Sequence, residues 1–152
     1  MTSIEQKIKD LGLELPETSK PLAAYIPAVK TGNLVFTSGQ LPIVSGQLTK
    51  TGKVGSEVSP EEAKELARVC ALNALAAIKM VIGDLEKIKR IVKVVGFVSS
   101  APNFTGQPAV INGASDFLGE VLGDRGIHAR SAVGVAVLPL DAPVEVELII
   151  EI

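Results

Sequence analysis

The closing stretch of the chain, HARSAVGVAVLPLDAPVEVELIIEI from His128 to Ile152, constrains the fold more than any other. Valines at alternate positions from Val133 to Val137 are separated by small residues, which is the period of a strand packed on one face. A proline-containing break at 138–143 ends that pattern, since proline donates no backbone hydrogen bond. A second β-rich run, Val144 to Ile152, follows. The stretch therefore predicts a closing hairpin.

Two charged residues lie in this apolar hairpin. Arg130 lies at the start of its first strand and Glu145 at the start of its second. Charges in apolar surroundings are costly unless they pair with each other or with a ligand. The pattern fits equally well with two solvated strand ends, so both interpretations stay open on these residues alone.

Composition indicates one domain with a sizeable core. The chain has 152 residues, of which 47% are hydrophobic, and its mean hydropathy is +0.36. No window reaches the ~18 consecutive apolar residues of a membrane span, and the first residues lack the pattern of a secretory signal. Such hydrophobicity outside a membrane predicts burial between subunits, and hence an oligomer. The lone cysteine, Cys70, favours a reducing cytoplasm and reads as a small core residue.

Charge and aromatic content disfavour nucleic acid as a partner. The net charge is −2, and the chain has one tyrosine, four phenylalanines and no tryptophan on which bases could stack. The one basic run, Lys87 to Lys93, is explained by solvated turn residues. A single histidine and a single cysteine exclude the usual His/Cys zinc sites within one chain.

The first half of the chain predicts a short helix, a hairpin and a loop. Ser3 has the spacing of a helix cap, and the helix should run to about Leu11 before a proline-containing connector. The ranges 24–30 and 34–38 favour two strands around a Thr-Gly-Asn turn. The glycine-rich range 43–58 is interpreted as a loop with one short strand.

The middle of the chain predicts two helices around a strand. Ser59-Pro60-Glu61-Glu62 is a strong helix start, and the helix should run to about Ile82. A strand follows over 88–100, with Gly96 as a possible bulge, and a second helix over about 108–122. The first helix carries an apolar stripe that should pack on a sheet: Ala63, Leu66, Cys70, Ala74, Ala77 and Val81. Asn73 and Lys79 are predicted to face outward.

With one hairpin before the helices and one after them, the expected fold is α+β. A mixed sheet should form one layer and the two helices the other.

The common catalytic and cofactor motifs are absent. The chain contains no GxxxxGK[ST], GxGxxG, HExxH, CxxC or GxSxG sequence. His128, the one histidine, is more typical of a strand end than of a catalytic base. The chemistry that remains is a cofactor-free site built from Arg130, Glu145, the Ser38-Gly39 backbone and Tyr25.

Those residue types suit hydrolysis of a small molecule that carries a carboxylate beside an electrophilic carbon. A guanidinium binds a carboxylate through two parallel hydrogen bonds, each worth roughly 1.5–3 kcal/mol. The Gly39 N–H would stabilise developing charge, although a glycine after a strand is often simply a turn. A partly buried Glu145 would orient a water or share a proton with it.

Two stretches together resemble the YjgF family, also called the Rid or reactive-intermediate-deaminase family. They are AYIPAV…GNLVFTSGQLP and HARSAVGVAVLPLDAPVEVE, and between them lie a similar Ser-Pro-Glu-Glu-Ala helix, a VVGFV strand and Asn103-Phe104. The resemblance covers Pro21 to Ile152. It predicts one domain over 21–152 and an N-terminal extension over 1–20.

The resemblance implies a chorismate-mutase-like fold of the bacillus type, a sheet backed by two α-helices. It also implies a homotrimer with clefts between subunits. Characterised members hydrolyse enamines and imines such as 2-aminoacrylate to 2-keto acids and ammonia, and they need no metal or organic cofactor. The expected partner is thus a small carboxylate-bearing imine, enamine or 2-keto acid.

By position, the family's carboxylate-binding arginine falls on Arg130 and its water-associated glutamate on Glu145. Its Ser-Gly contact falls on Ser38 and Gly39, and its cleft tyrosine on Tyr25.

The chain also departs from the family pattern, as in a divergent branch. Ala132 replaces a common cysteine, and Ala-Tyr-Ile-Pro replaces the usual Gly-Pro-Tyr pattern. Two functions therefore stay open, imine deamination and non-catalytic binding of a small carboxylate metabolite in the clefts. Endoribonuclease activity, a label that some relatives carry, is disfavoured by the acidic balance and sparse aromatics.

Overall fold

The computed structural model describes residues 2–17 and 24–152, and it has two long helices on one face of a five-stranded sheet. The helices and strands are α1 (Ile4–Asp10), β1 (Ala28–Thr31), β2 (Leu34–Thr37), β3 (Ile43–Val44), β4 (Gln47–Leu48), α2 (Pro60–Ile82), β5 (Arg90–Ser99), α3 (Gln107–Leu122), β6 (Ala129–Val135) and β7 (Val144–Glu151). The boundary predicted after Lys20 lies outside the described residues. Within them, no helix has both the length and the apolar character that crossing a bilayer requires.

The sheet is mixed, with the strand order β1-β2-β7-β5-β6. β5 and β6 are parallel, and the other neighbouring strands are antiparallel. The predicted closing hairpin is therefore wrong, because β5 lies between β6 and β7. The connector between those two strands passes over the end of β5. There the Ser99 N–H donates to the Pro143 carbonyl and the Ser100 N–H to the Val135 carbonyl. The alternation of residues sets the inward face of a strand but leaves its neighbour undetermined.

α2 begins and ends where the sequence predicts. Ser59 Oγ accepts from Glu62 N–H, the Glu62 carboxylate accepts from Ser59 N–H, and Gly83 caps the end with a positive φ of 81°. Cys70 is fully buried, which raises the pKa of its thiol. Most of the predicted stripe is buried with it, but Val81 is 37% exposed and Ile82 takes its inward place.

Three local predictions are corrected. Asn73 does not face outward, because its Nδ2 donates to the carbonyls of Leu41 and Ile43 at 2.9 and 3.0 Å. Those bonds hold a two-strand hairpin, β3–β4, where one short strand was expected. Gly96 is not a bulge: the register shift lies between Ile91 and Lys93, and Gly96 instead leaves room for a side chain of α3.

α1 packs into the same core as the two long helices. Ser3 Oγ accepts from Gln6 N–H, as the spacing predicts, and Ile4 and Ile8 are both buried. The Ile4 N–H also donates to the Glu86 carboxylate at 2.6 Å. Residues 4–10 are thus integral to the folded unit.

Candidate functional site

Three of the predicted site residues line one cleft. Tyr25, Ser38 and Gly39 border a cavity of about 560 Å³ at the end of β2. The backbone there is fixed, because Ser38 Oγ donates to the Ile26 carbonyl and Ser38 N–H to the Pro27 carbonyl, both at 2.7 Å. Tyr25 is 66% exposed, so its phenol is accessible. The rest of the cleft wall comes from the N-terminal segment, the 40–46 segment and α2: Pro16, Glu17, Pro27, Gln40, Leu41, Ile43, Ser45, Gly46 and Asn73.

Glu145 packs directly on Gly39. A Cβ at position 39 would overlap Glu145 Oε1, so only glycine leaves room for the carboxylate there. The adjacent residues Gln40 and Val146 exchange two backbone hydrogen bonds of 2.8 and 3.0 Å, which hold the two segments together. The Gly39 N–H has no acceptor among the described residues.

The electrostatic environment of Glu145 is unfavourable for its charge. Along β7, Val144 and Val146 are buried against the helices, while Glu145 and Glu147 are half-buried on the opposite, open face of the sheet. Burial, and secondly the charge of Glu147, raise the pKa of the Glu145 carboxyl above its ordinary value. Within the described ranges neither carboxylate forms an ion pair with a lysine or arginine.

Arg130 lies on the other face of the sheet. Its Nη1 donates to Asn112 Oδ1 at 2.7 Å and to Ser115 Oγ at 3.2 Å, and both acceptors belong to α3. In the register, Arg130 lies opposite Val94, which is buried beneath the helices. Arg130 and Glu145 are therefore not brought together within one chain, because β5 and the thickness of the sheet separate them.

A histidine and a serine extend the contacts of Arg130. His128 Nε2 lies 2.9 Å from Ser115 Oγ, and its Nδ1 lies 2.6 Å from the Gly126 carbonyl oxygen. Asn112 and Ser115 were missed in the sequence, although a signal exists. They are three apart on a helix, which places them on one face. His128 immediately precedes β6 and is two residues before Arg130, a spacing that favours one side of an extended segment.

Among the described residues, Arg130 differs from the other three arginines in having no carboxylate partner. Arg68 pairs with Glu120 at 3.7 Å, Arg90 with Glu151 at 2.6 Å and Arg125 with Glu86 at 3.4 Å. For Arg130, no such partner exists in the part of the chain that the structure describes, and its side chain is half-buried. A half-buried cation without a counterion is suited to bind an anionic ligand. In the same ranges, no group of three or more His, Cys, Asp and Glu side chains could hold a metal ion.

Comparison with known proteins assigns the family. The family model described as "YjgF/chorismate_mutase-like, putative endoribonuclease" matches residues 5–152. The chain therefore belongs to the YjgF family, and its α+β fold is the chorismate-mutase-like fold of that family.

Three similar proteins illustrate the relationship. Protein TCP17 of Trypanosoma cruzi is 40% identical over 150 residues, covering 98% of this chain and 94% of its own. The 2-iminobutanoate/2-iminopropanoate deaminase of Escherichia coli K12 is 33% identical over 129 residues, covering 84% and 87%. The crystal structure of Atu1372 from Agrobacterium tumefaciens is 48% identical, with a TM-score of 0.93 and coverage of 98% and 92%.

Proposed function

We propose that this protein hydrolyses small carboxylate-bearing imines and enamines to 2-keto acids and ammonia. The observation that carries the proposal is Arg130, which is half-buried, held by α3 and without a carboxylate partner among the described residues. A guanidinium in that state suits a ligand carboxylate through two parallel hydrogen bonds. The name of the Escherichia coli relative, 2-iminobutanoate/2-iminopropanoate deaminase, supports the same chemistry.

The reaction needs a water, a proton acceptor and a carboxylate-binding group. An enamine first gains a proton on its terminal carbon to become the protonated imine. Water then adds to the imine carbon, forming a C–O bond, and Glu145 takes a proton from that water. The raised pKa of Glu145 makes its carboxylate a stronger base than an ordinary glutamate, which suits a group that accepts and returns a proton. That proton passes to nitrogen, the C–N bond breaks as the hydroxyl gives up its proton to the departing ammonia and becomes the carbonyl, and a 2-keto acid and ammonium are released.

The groups around Gly39 would assist this addition. The Gly39 N–H, which has no acceptor in the described part of the chain, would donate to charge that develops on the substrate. Ser38 fixes the direction of that N–H through its bonds to the preceding segment. Tyr25 would close the cleft over the substrate from its exposed position. No metal or organic cofactor is needed for these steps.

We further propose that the site forms between subunits of a homotrimer. Because Arg130 and Glu145 lie on opposite faces of one sheet, a single substrate reaches both only if a neighbouring chain supplies one of them. The open face of the sheet also leaves large apolar side chains exposed, with Val29 at 50%, Phe36 at 41% and Val133 at 45%. Such a face is suited to cover another subunit.

The test is turnover of 2-aminoacrylate generated in situ, followed as pyruvate release. Arg130→Ala should lower kcat/KM by about 10²- to 10⁴-fold, since each of two charge-assisted hydrogen bonds contributes roughly 1.5–3 kcal/mol. Arg90→Ala is the matched control, because Arg90 already pairs with Glu151 at the surface, and it should retain the wild-type rate.

The outcomes separate the two functions. A folded, oligomeric Arg130→Ala protein with undiminished turnover would contradict the proposal. A wild-type protein that binds pyruvate through Arg130 but accelerates no hydrolysis would instead support non-catalytic binding of a carboxylate metabolite.

A further inference from the structure

We infer that Ser115 and His128 are positioning residues that, together with Asn112, make Arg130 present one particular edge of its guanidinium to the substrate carboxylate. This inference rests on the proposed function, since it assumes that Arg130 binds the substrate. Its basis is three hydrogen bonds that run from the Gly126 carbonyl through His128 and Ser115 to Arg130, and a fourth from Arg130 to Asn112.

The direction of each hydrogen bond follows from the chemistry of the groups. A carbonyl oxygen only accepts, so the contact with Gly126 requires the proton of His128 to be on Nδ1. In a neutral imidazole, Nε2 is then an acceptor, and the Ser115 hydroxyl donates to it. The lone pairs of Ser115 Oγ remain available for Arg130 Nη1. A charged His128 would leave the Ser115 proton without an acceptor among the described residues, so the neutral ring fits this arrangement.

As a consequence, Nη1 of Arg130 has no N–H left to donate to a substrate. Its two N–H bonds point to Asn112 Oδ1 and Ser115 Oγ. A carboxylate that needs two parallel donors must therefore use the edge formed by Nε and Nη2. In the described ranges, neither of those nitrogens has an acceptor. The substrate carboxylate is thus expected to bind along that edge, in one orientation.

The chain offers a direct spectroscopic test, because His128 is its only histidine. In ¹⁵N-labelled protein at neutral pH, the ring nitrogen signals should show Nδ1 protonated and Nε2 unprotonated. In Ser115→Ala the Nε2 signal should shift, because Nε2 loses its donor. A wild-type ring protonated on Nε2, or an Nε2 signal unmoved in Ser115→Ala, would overturn the inference.

Ligand binding tests the effect on Arg130. Pyruvate, the keto acid formed from 2-aminoacrylate, should bind Ser115→Ala about three- to tenfold more weakly than wild type, which is the scale of one hydrogen bond. Ser115→Thr keeps the hydroxyl and should restore the affinity to within about twofold of wild type. The KM for 2-aminoacrylate should follow the same pattern while kcat and thermal stability stay nearly constant.

The results distinguish the two proposals. Equal pyruvate affinity in wild type, Ser115→Ala and Ser115→Thr, with the expected ring tautomer, overturns the positioning role and leaves the deaminase proposal standing. If the wild-type protein has the expected tautomer but neither binds pyruvate nor turns over 2-aminoacrylate, the proposed function is overturned, and the positioning role with it.

Discussion

Arg130 and Glu145 differ in how the surrounding residues of their own chain stabilise their charges. Arg130 is held within its own chain, with both hydrogens of Nη1 donated to acceptors on α3. Glu145 packs on a glycine, lies near a second carboxylate and pairs with no cation in the described ranges. The arginine is preorganised by the fold of one chain. The glutamate bears an unfavourable charge, as is common where a ligand or a second chain completes a site.

The largest effect should come from mixing two inactive variants. Arg130→Ala and Glu145→Gln should each be nearly inactive alone. In random mixtures of the proposed homotrimer, about one site in four would combine an intact Arg130 with an intact Glu145 from the neighbouring chain, so activity should recover to about a quarter of wild type.

The control replaces Glu145→Gln by the double variant Arg130→Ala/Glu145→Gln. Neither variant in that mixture has an intact Arg130, so the mixture should stay inactive. Mass spectrometry shows whether the subunits have exchanged. If they have and the first mixture still recovers no activity, the site is not formed by Arg130 of one chain and Glu145 of its neighbour.

A smaller effect is expected from Gly39→Ala. The new methyl group would overlap Glu145 Oε1, which is the movable end of a flexible side chain, so the fold should persist while the carboxylate is displaced. A displacement of about 1 Å lowers rates by up to about 10²-fold, and we expect kcat/KM to fall by about 10- to 100-fold. Gly119→Ala is the control, since Gly119 has open space around it and should gain about 0.5–1 kcal/mol of helix stability at an unchanged rate. A wild-type rate in Gly39→Ala would remove Glu145 from the mechanism.

The smallest effect should be a pH-dependent change in the free energy of unfolding. The pKa of Glu145 is raised above 4.5 in the folded chain, so the folded state holds its proton more tightly than the unfolded state does. Stability therefore falls as pH rises from about 4.5 through the raised pKa. Glu145→Gln should be more stable than wild type at neutral pH, and the difference should shrink as the pH falls toward 4.5. Urea unfolding across that pH range measures the difference in free energy of unfolding between the two proteins. A difference that grows on acidification would contradict a raised pKa for Glu145.

The parts of the fold that depend on residues close together in the sequence were predictable. Ser59 and Glu62 cap α2 through bonds that span three residues, and the Gly32 turn joins β1 and β2 at adjacent positions. Strand neighbours were not predictable in this way. β6 and β7 are consecutive strands in the chain, yet β5 separates them, because pairing depends on contacts between distant residues.

The candidate site was predictable to a similar extent. The residue pattern singled out Arg130 and Glu145, the resemblance gave the same two residues, and their roles stay a prediction. The resemblance, however, is a match of sequence and not of geometry. It gave no information on which face of the sheet each would occupy, since that depends on the register of β6 on β5. The spacing of Asn112 and Ser115 places them on one face of α3, but α3 carries other polar residues as well. Only the packing of α3 against β6 shows that these two share a contact with Arg130.

The central place of β7 also determines when this sheet can form during synthesis. β7 joins the β1–β2 hairpin to the β5–β6 pair, yet it is the last strand in chain order. Until residues 144–151 have left the ribosome, the two halves of the sheet have no strand between them, and the edges of β2 and β5 stay unpaired. Nascent chains that pause before this point expose two apolar strand edges, which makes them targets for chaperones and prone to aggregation.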